Sequence, residues 1–434
     1  MTKLKTYKFS DLYKMSSGIS SKPEQAGHGS PFVSFSTAFN NYFLPDSLPD
    51  LMDITDKERE IYSIKKGDIL LTRTSETLDE LGMSCVAVKD YPNSSFSGFL
   101  KRLRPTQNNV TYDKFMAFYL RSKLFRKTMN NNAVMTLRAS LNEQIFSYLD
   151  LILPEYKEQK KIGDFLYTIN TKIEINNKIN AELEVMAKLI YDYWFVQFDF
   201  PNKQGKAYKS SGGKMVFNKE LKREIPEGWK VKELSDIANI TMGQSPSGSS
   251  YNENQDGEIF FQGSTDFGWR FPTIRQYTNE PSRMANVGDI LLSVRAPVGT
   301  LNIADNNCCI GRGLAALNSK ANATSYLFYV MVYFKQIFDR RNSVGTTFGS
   351  ITKDDLHSLQ LVYPSLEILK EFDKKVANFN DKILNNHRQN QQLASLRDWL
   401  LPMLMNGQVT VKEAEEKVRE FNMAAEPEGT YTNK

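Results

Sequence analysis

The chain has 434 residues, 41% hydrophobic and 24% charged, an ordinary composition for a globular protein with room for two to four domains. No apolar run is long enough to span a membrane, and the first residues lack the apolar core of an export signal; Cys85, Cys308 and Cys309 are too few for a disulfide framework or a cysteine zinc cluster. Net charge is +5, with 20 basic against 16 acidic groups in residues 1–154, a balance that suits a polyanion partner where the cations converge on one face. With His28, His357 and His387 scattered, a cytoplasmic protein without a metal site is expected.

Short apolar runs at Asp68–Thr72, Cys85–Val88 and Leu149–Leu153 have strand length and are bounded by turn residues, while Tyr112–Leu124 has helical spacing. After Pro154, Ile162, Leu166, Ile169, Ile173, Asn176, Asn180, Leu183, Ala187, Ile190 and Trp194 alternate four and three apart. That heptad seam predicts a long helix packed on another helix. Pro201–Glu224 is rich in Gly, Ser and Lys and reads as an exposed linker, whose seven basic and two acidic groups suit contact with phosphates. Further on come the polar loop Thr241–Ser250, a strand at Asp289–Val294 and a helix over Tyr326–Phe338. A second seam runs Phe372, Val376, Phe379, Ile383, Asn386, Asn390, Leu393, Arg397, Leu400 and Leu404, broken only by Arg397; Pro402 should end or kink its helix. Lys412–Lys434 is expected to fray.

These elements occur twice. Lys66-Gly-Asp-Ile-Leu-Leu-Thr72 returns as Val287-Gly-Asp-Ile-Leu-Leu-Ser293, and Ser140-Leu141 with Leu149-x-Leu151-x-x-Pro154 returns as Ser350-Ile351 with Leu359-x-Leu361-x-x-Pro364. Tyr7-Lys8-Phe9 has a counterpart in Trp229-Lys230-Val231. Each half is therefore a mixed α/β (α+β) portion followed by a long helix. Both seams carry two Asn residues straddling their midpoints, so an antiparallel, centred pair brings Asn176 to Asn390 and Asn180 to Asn386, across a pseudo-twofold axis. A parallel pair would also align like with like. Buried asparagines of this kind set register and orientation at a cost in stability.

Chemistry is sparse. There is no phosphate-binding Gly-x-x-x-x-Gly-Lys-[Ser/Thr] loop and no Pro-Pro pair for an amino-methyltransferase motif. Gly311-Arg-Gly-Leu-Ala-Ala316 fits a dinucleotide fingerprint, but a turn rather than the required helix is expected after it. Glu158-Gln-Lys160 resembles the end of a nuclease motif, yet its repeat partner Ile368-Leu-Lys370 has no carboxylate. Groups suited to reading or holding DNA are easier to find. Arg73 and Arg295 follow the two repeated strands at nearly matching places, Thr74 adjoins the first, and Arg312, Gln262, Gln244, Ser245 and Ser247 sit in polar or Gly-rich stretches. Arginine suits guanine edges, glutamine adenine, and serine or threonine phosphates. An unrecognised nuclease and a coiled-coil scaffold are the competing functional readings.

The segments Ile190-Tyr-Asp-Tyr-Trp-Phe-Val-Gln-Phe-Asp-Phe-Pro201, Tyr208–Met215, Ile225-Pro-Glu-Gly-Trp229, Gly288–Gly299, Ile310–Ala316 and Leu400-Leu-Pro-Met-Leu-Met-Asn-Gly407 resemble those of type I restriction–modification specificity subunits. The resemblance spans nearly the whole chain. It implies target-recognition domains at 1–154 and 225–364, long helices at 155–200 and 365–410 forming an antiparallel coiled coil, a linker at 201–224 and a tail at 411–434. It also implies double-stranded DNA as ligand, with partner modification (methyltransferase) subunits, two of them expected, and restriction subunits. Catalysis, S-adenosylmethionine, ATP and Mg would belong to those partners and none to this chain. The first half departs from the pattern, having Arg73-Thr-Ser-Glu76 where the second has Arg295-Ala-Pro-Val298. Different half-sites for the two domains would follow.

Overall fold

A computed structural model describes residues 4–20, 22–75, 80–132, 134–135, 139–140, 143–343 and 350–425. The chain divides into two compact units: Met1–Asn176 with Arg388–Lys434, and Asn177–His387.

The first unit contains β1 (Leu4–Lys8), β2 (Tyr13–Ser17), β3 (Ala26–Val33), β4 (Ile69–Thr72), β5 (Ser84–Val86), β6 (Ser95–Phe96), β7 (Leu100–Pro105) and β8 (Asp150–Pro154). The second contains β9 (Lys230–Glu233), β10 (Ala238–Met242), β11 (Glu258–Phe261), β12 (Ile290–Ser293), β13 (Leu301–Ile303), β14 (Cys308–Ile310), β15 (Leu314–Ser319) and β16 (Gln360–Tyr363). Each strand of the first series has its counterpart in the second. The order β2-β7-β4-β5 is matched by β10-β15-β12-β13, antiparallel throughout. The antiparallel pair β1/β8 is matched by β9/β16, and the parallel pair β3/β6 by β11/β14.

The repeated Gly-Asp-Ile-Leu-Leu motif has a simple explanation in this fold. Gly67 and Gly288 have φ of +86° and +88°, which only glycine adopts freely. The next residue closes the turn: Asp68 Oδ2 accepts from Lys65 N, and Asp289 Oδ2 from Asn286 N, both at 2.8 Å. The strands that follow are apolar throughout because both faces are covered. Ile69 and Leu71 face one core and Leu70 another; Ile290 and Leu292 face one core and Leu291 another.

Helix α1 (Tyr156–Tyr191) and helix α3 (Leu366–Met405) each give one half to each unit, with α2 (Thr324–Ser343) between them in sequence. In both units the two helix halves pair antiparallel. In the first, Arg397 Nη1 donates to Asn170 (3.2 Å), and Asn176 Nδ2 donates to Asn390 Oδ1 and Gln389 Oε1 (2.8 Å each). In the second, Asn386 Nδ2 donates to Asn180 Oδ1 (2.8 Å), and the Tyr191 and Trp194 rings pack on Phe372. These are the asparagine partners of the antiparallel arrangement. Arg397, which interrupts the second seam, is buried there.

Several elements differ from the sequence reading. Tyr112–Leu124 is two helices, Asp113–Tyr119 and Lys123–Asn132, broken at Ser122, whose hydroxyl caps the second by accepting from Phe125 N. Residues 201–224 are exposed or half-buried throughout, as expected of this segment, but they are structured. Strands Met215–Asn218 and Arg223–Pro226 pair as a hairpin, and the Phe200 ring stacks between Tyr208 (4.6 Å) and Trp229 (4.9 Å). The aromatic run before it ends α1 in a π-helical turn, Asp192–Val196, which turns Trp194 and Phe195 into the core of the second unit. Pro402 does fall where expected, in the last turn of α3, which ends at Met405. The tail is helix α4 (Val411–Ala425) through most of its length, with Ala414 fully buried in the core of the first unit; 426–434 lie outside the described residues.

Candidate nucleic-acid interface

In the second unit, four loops meet at the ends of β10, β11, β12 and β14. The three after β11, β12 and β14 form a concavity of about 470 Å³ lined by Gln262, Ser264, Thr265, Arg295, Pro297 and Arg312, among others, with the loop after β10 beside it. The lining includes two guanidinium groups and no carboxylate. Gln262, Arg295 and Arg312, taken from separate stretches of the sequence, are thus brought together, and all three are exposed. Ser245 joins them, its hydroxyl accepting from Arg312 N (3.2 Å). Gln244 is exposed beside it, held by its backbone N–H to Ile310 O (3.0 Å). Ser247 lies further along, its carbonyl closing the short helical turn Gly248–Ser250 and its hydroxyl against Ser249.

One glycine makes this convergence possible. A Cβ at Gly243 would lie 2.2 Å from Gly311 O, and at the matching Gly18 of the first unit 2.2 Å from Ser97 O. The loops cross at backbone contact in both repeats, so only glycine fits there. This role of Gly243 and Gly18 is not readable from one sequence, and neither is the part of Ser264, Thr265 and Pro297 in the lining.

The hydrogen-bond ladder corrects the pairing of Arg73 with Arg295. Arg73 N donates to Phe99 O (2.8 Å) as Val294 N donates to Gly313 O (2.9 Å), so Arg73 matches Val294. Thr74 pairs with Ser140 as Arg295 pairs with Ser350, so Thr74 matches Arg295. The Thr74 side chain and Leu141 lie outside the described residues. By the same ladder Gly98 stands where Arg312 does. The first unit therefore holds one frame with different side chains: exposed Arg73, one residue away, has its guanidinium near Gly98 O (3.5 Å).

Among the described residues no group of three or more His, Cys, Asp or Glu is placed to hold a metal ion. Burial pushes the Cys85 and Cys308 thiols up to about 12, which removes them as nucleophiles at neutral pH. Glu158 is ion-paired to Lys161 on the helix surface, and buried Gln159 ties the start of α1 to Tyr112, Val110 and Pro154. Gly311–Gly313 leads into strand β15, and the strand ends in a turn at Lys320–Asn322, closed by Asn322 N donating to Ser319 O (3.3 Å), where a dinucleotide site needs a helix. No helix of the described residues is long and apolar enough to cross a membrane.

The model of the type I restriction modification DNA specificity domain matches the chain twice, over residues 2–185 and 226–395. The chain belongs to that family. A type I restriction enzyme specificity subunit of Methanocaldococcus jannaschii, MjaX, is 31% identical over 409 residues, covering 91% of each chain. The HindI specificity subunit of Haemophilus influenzae is 24% identical, covering 87% of this chain and 94% of its own. In fold, the chain is similar to the S subunit of M. genitalium, with a TM-score of 0.57 at 14% identity, over 93% of this chain and 96% of that one. This type I specificity subunit is accordingly the non-catalytic chain that confers DNA specificity, and it works with modification and restriction partners that carry catalysis.

Proposed function

We propose that this specificity subunit reads a bipartite duplex target, one half per repeat, across a fixed gap that neither repeat reads, and that it seats two methyltransferase subunits together with restriction subunits. The observation that carries the reading is the acid-free concavity where Gln262, Arg295 and Arg312 converge. In it Arg295 and Arg312 suit guanine edges or phosphates, Gln262 suits adenine, and Gln244, Ser245 and Ser247 suit the backbone. In the first repeat the candidates are Thr74, in the place of Arg295, and its neighbour Arg73. The same frame with different side chains is what two different half-sites call for.

Methylation profiling of a genome with and without this chain tests the reading. The expected result is one adenine-methylated motif, present only with the chain, made of two defined halves and a constant undefined gap. A single contiguous motif, or no change, overturns it.

A further inference from the structure

Both units place a guanidinium against the same helix amide, and they supply it from opposite sides. Asn170 and Asn380 are equivalent, each following a matched seam position of its helix (Ile169 and Phe379). In the first unit Asn170 accepts from Arg397 of α3, whose guanidinium lies 4.7 Å from the Tyr42 ring. In the second unit the position equivalent to Arg397 is Ala187, which is fully buried and has nothing to donate. Asn380 instead accepts from Arg270 Nη2 (2.7 Å), on a loop of the α+β portion; Arg270 is also ion-paired to Glu184 of α1 and lies 4.4 Å from the Phe328 ring.

Arg270 and Tyr42 occupy one place in the repeat. Val86 N donates to Tyr42 O (3.0 Å), and Ile303 N donates to Arg270 O (2.8 Å). Val86 and Ile303 are themselves matched, opposite Ile69 and Ile290. The residues that follow, Phe43 and Phe271, are both buried phenylalanines, although they pack on different helix positions, Tyr167 of α1 and His387 of α3. The pair Tyr42/Arg397 in one unit has therefore become Arg270/Ala187 in the other, and the guanidinium–amide contact is kept.

Stability alone does not account for this. Arg270 is 3% exposed and Arg397 9%, and burying a guanidinium contributes no more stability than an apolar side chain of similar volume. What it adds is direction, since the planar guanidinium is held at two points, one N–H on the amide and another on a carboxylate, Glu184 for Arg270 and Asp398 for Arg397. Through its carbonyl, Arg270 is also fixed to β13, the neighbour of β12, beyond whose end stands Arg295. We propose that Arg270 and Arg397 are positioning residues that lock each α+β portion onto the helix pair, and thereby set which gap between half-sites the subunit accepts.

The proposal rests on the bipartite reading above. The test uses the full chain assembled with its methyltransferase partner, and duplexes with both half-sites intact and the gap longer or shorter by one base pair. R270Y should lower the preference for the native gap about tenfold, the scale of one charged hydrogen bond, and leave the penalty for a base change inside either half-site as it was. A187R/R270Y rebuilds the first unit's arrangement in the second and should restore the preference; A187R alone should not raise it. N380A leaves the Arg270–Glu184 pair in place and should loosen the gap as R270Y does, which covers the case of R270Y failing to fold. If N380A, or a folded R270Y, keeps the native preference, loses half-site and gap selectivity alike, or if the double variant fails to rescue R270Y, the lock is overturned. A wild-type complex indifferent to the gap overturns the bipartite reading along with it.

Discussion

Removing one amide from the Asn180–Asn386 contact should cost more than removing both. Both side chains are buried and joined by one 2.8 Å hydrogen bond. N180L loses that bond, worth about 1 kcal/mol net, and leaves the Asn386 amide buried without its acceptor, a further penalty of about 1–3 kcal/mol. Leucine burial returns part of this, so a net loss of roughly 1–3 kcal/mol is expected for N180L and likewise for N386L. In N180L/N386L no amide is left unsatisfied and two apolar side chains meet, so stability should equal or exceed the wild type. The coupling between the two positions is then at least about 2 kcal/mol in a double-mutant cycle. Urea denaturation followed by far-ultraviolet circular dichroism measures the stabilities, and light scattering on a sizing column reports whether the double variant gains species with other helix pairings. Single variants as stable as the wild type, or a double variant that simply sums the two losses, would refute the reasoning. Asn176 is a less clean site, since its amide donates to both Gln389 and Asn390.

Other expectations concern DNA and pH. R295A and R312A should each weaken methylation of the cognate target by about 1–3 kcal/mol and relax one position of one half-site where the arginine reads a base; a phosphate contact would instead weaken all sequences evenly and lower the salt slope by about 1. Replacing residues 226–364 with those of a relative should change one half of the methylated motif, and a change in both halves would show that the halves are not read separately. D373N should stabilise the protein more at pH 7 than at pH 4. Burial raises the Asp373 carboxyl above its usual range, so the stability it contributes is full below the unfolded value and is lost as pH rises through the folded one. Asparagine keeps the acceptor for Ser325 N and Tyr326 N at the start of α2 and carries no charge to desolvate. Equal effects at the two pH values would contradict this.

The helices were legible because a heptad repeat fixes which side chains lie inside before any tertiary contact is known. Every seam position is buried or half-buried, while most residues between them are exposed. The duplication was legible for a similar reason: Gly-Asp-Ile-Leu-Leu needs both a left-handed turn and two covered strand faces, which leaves few alternatives. A one-residue register was not. Arg73 and Arg295 look matched by strand ends, and only the backbone ladder shows that Thr74 is the true counterpart. Composition told only part of the story for residues 201–224: their Gly, Ser and Lys content matches their exposure, but it does not reveal the hairpin of 215–218 with 223–226 or the stacking of Tyr208 on Phe200, which itself stacks on Trp229. Arg397 appeared as a defect in the seam because its partner Tyr42 is remote in sequence.

The second unit is one unbroken run of chain, whereas the first is assembled from both ends. Leu396, Leu400, Leu401, Leu404, Met405 and Ala414 share a core with Phe9, Ile69 and Leu166. During synthesis the repeat made first is therefore the last to be finished. It must wait, with an open apolar trough, until some 250 residues after its own β8 have left the ribosome. A premature stop just past His387 would spare the later repeat and cripple the earlier one, the reverse of what position along the message suggests. Deletions near the carboxyl end should accordingly show up as aggregation through the amino-terminal portion of the chain.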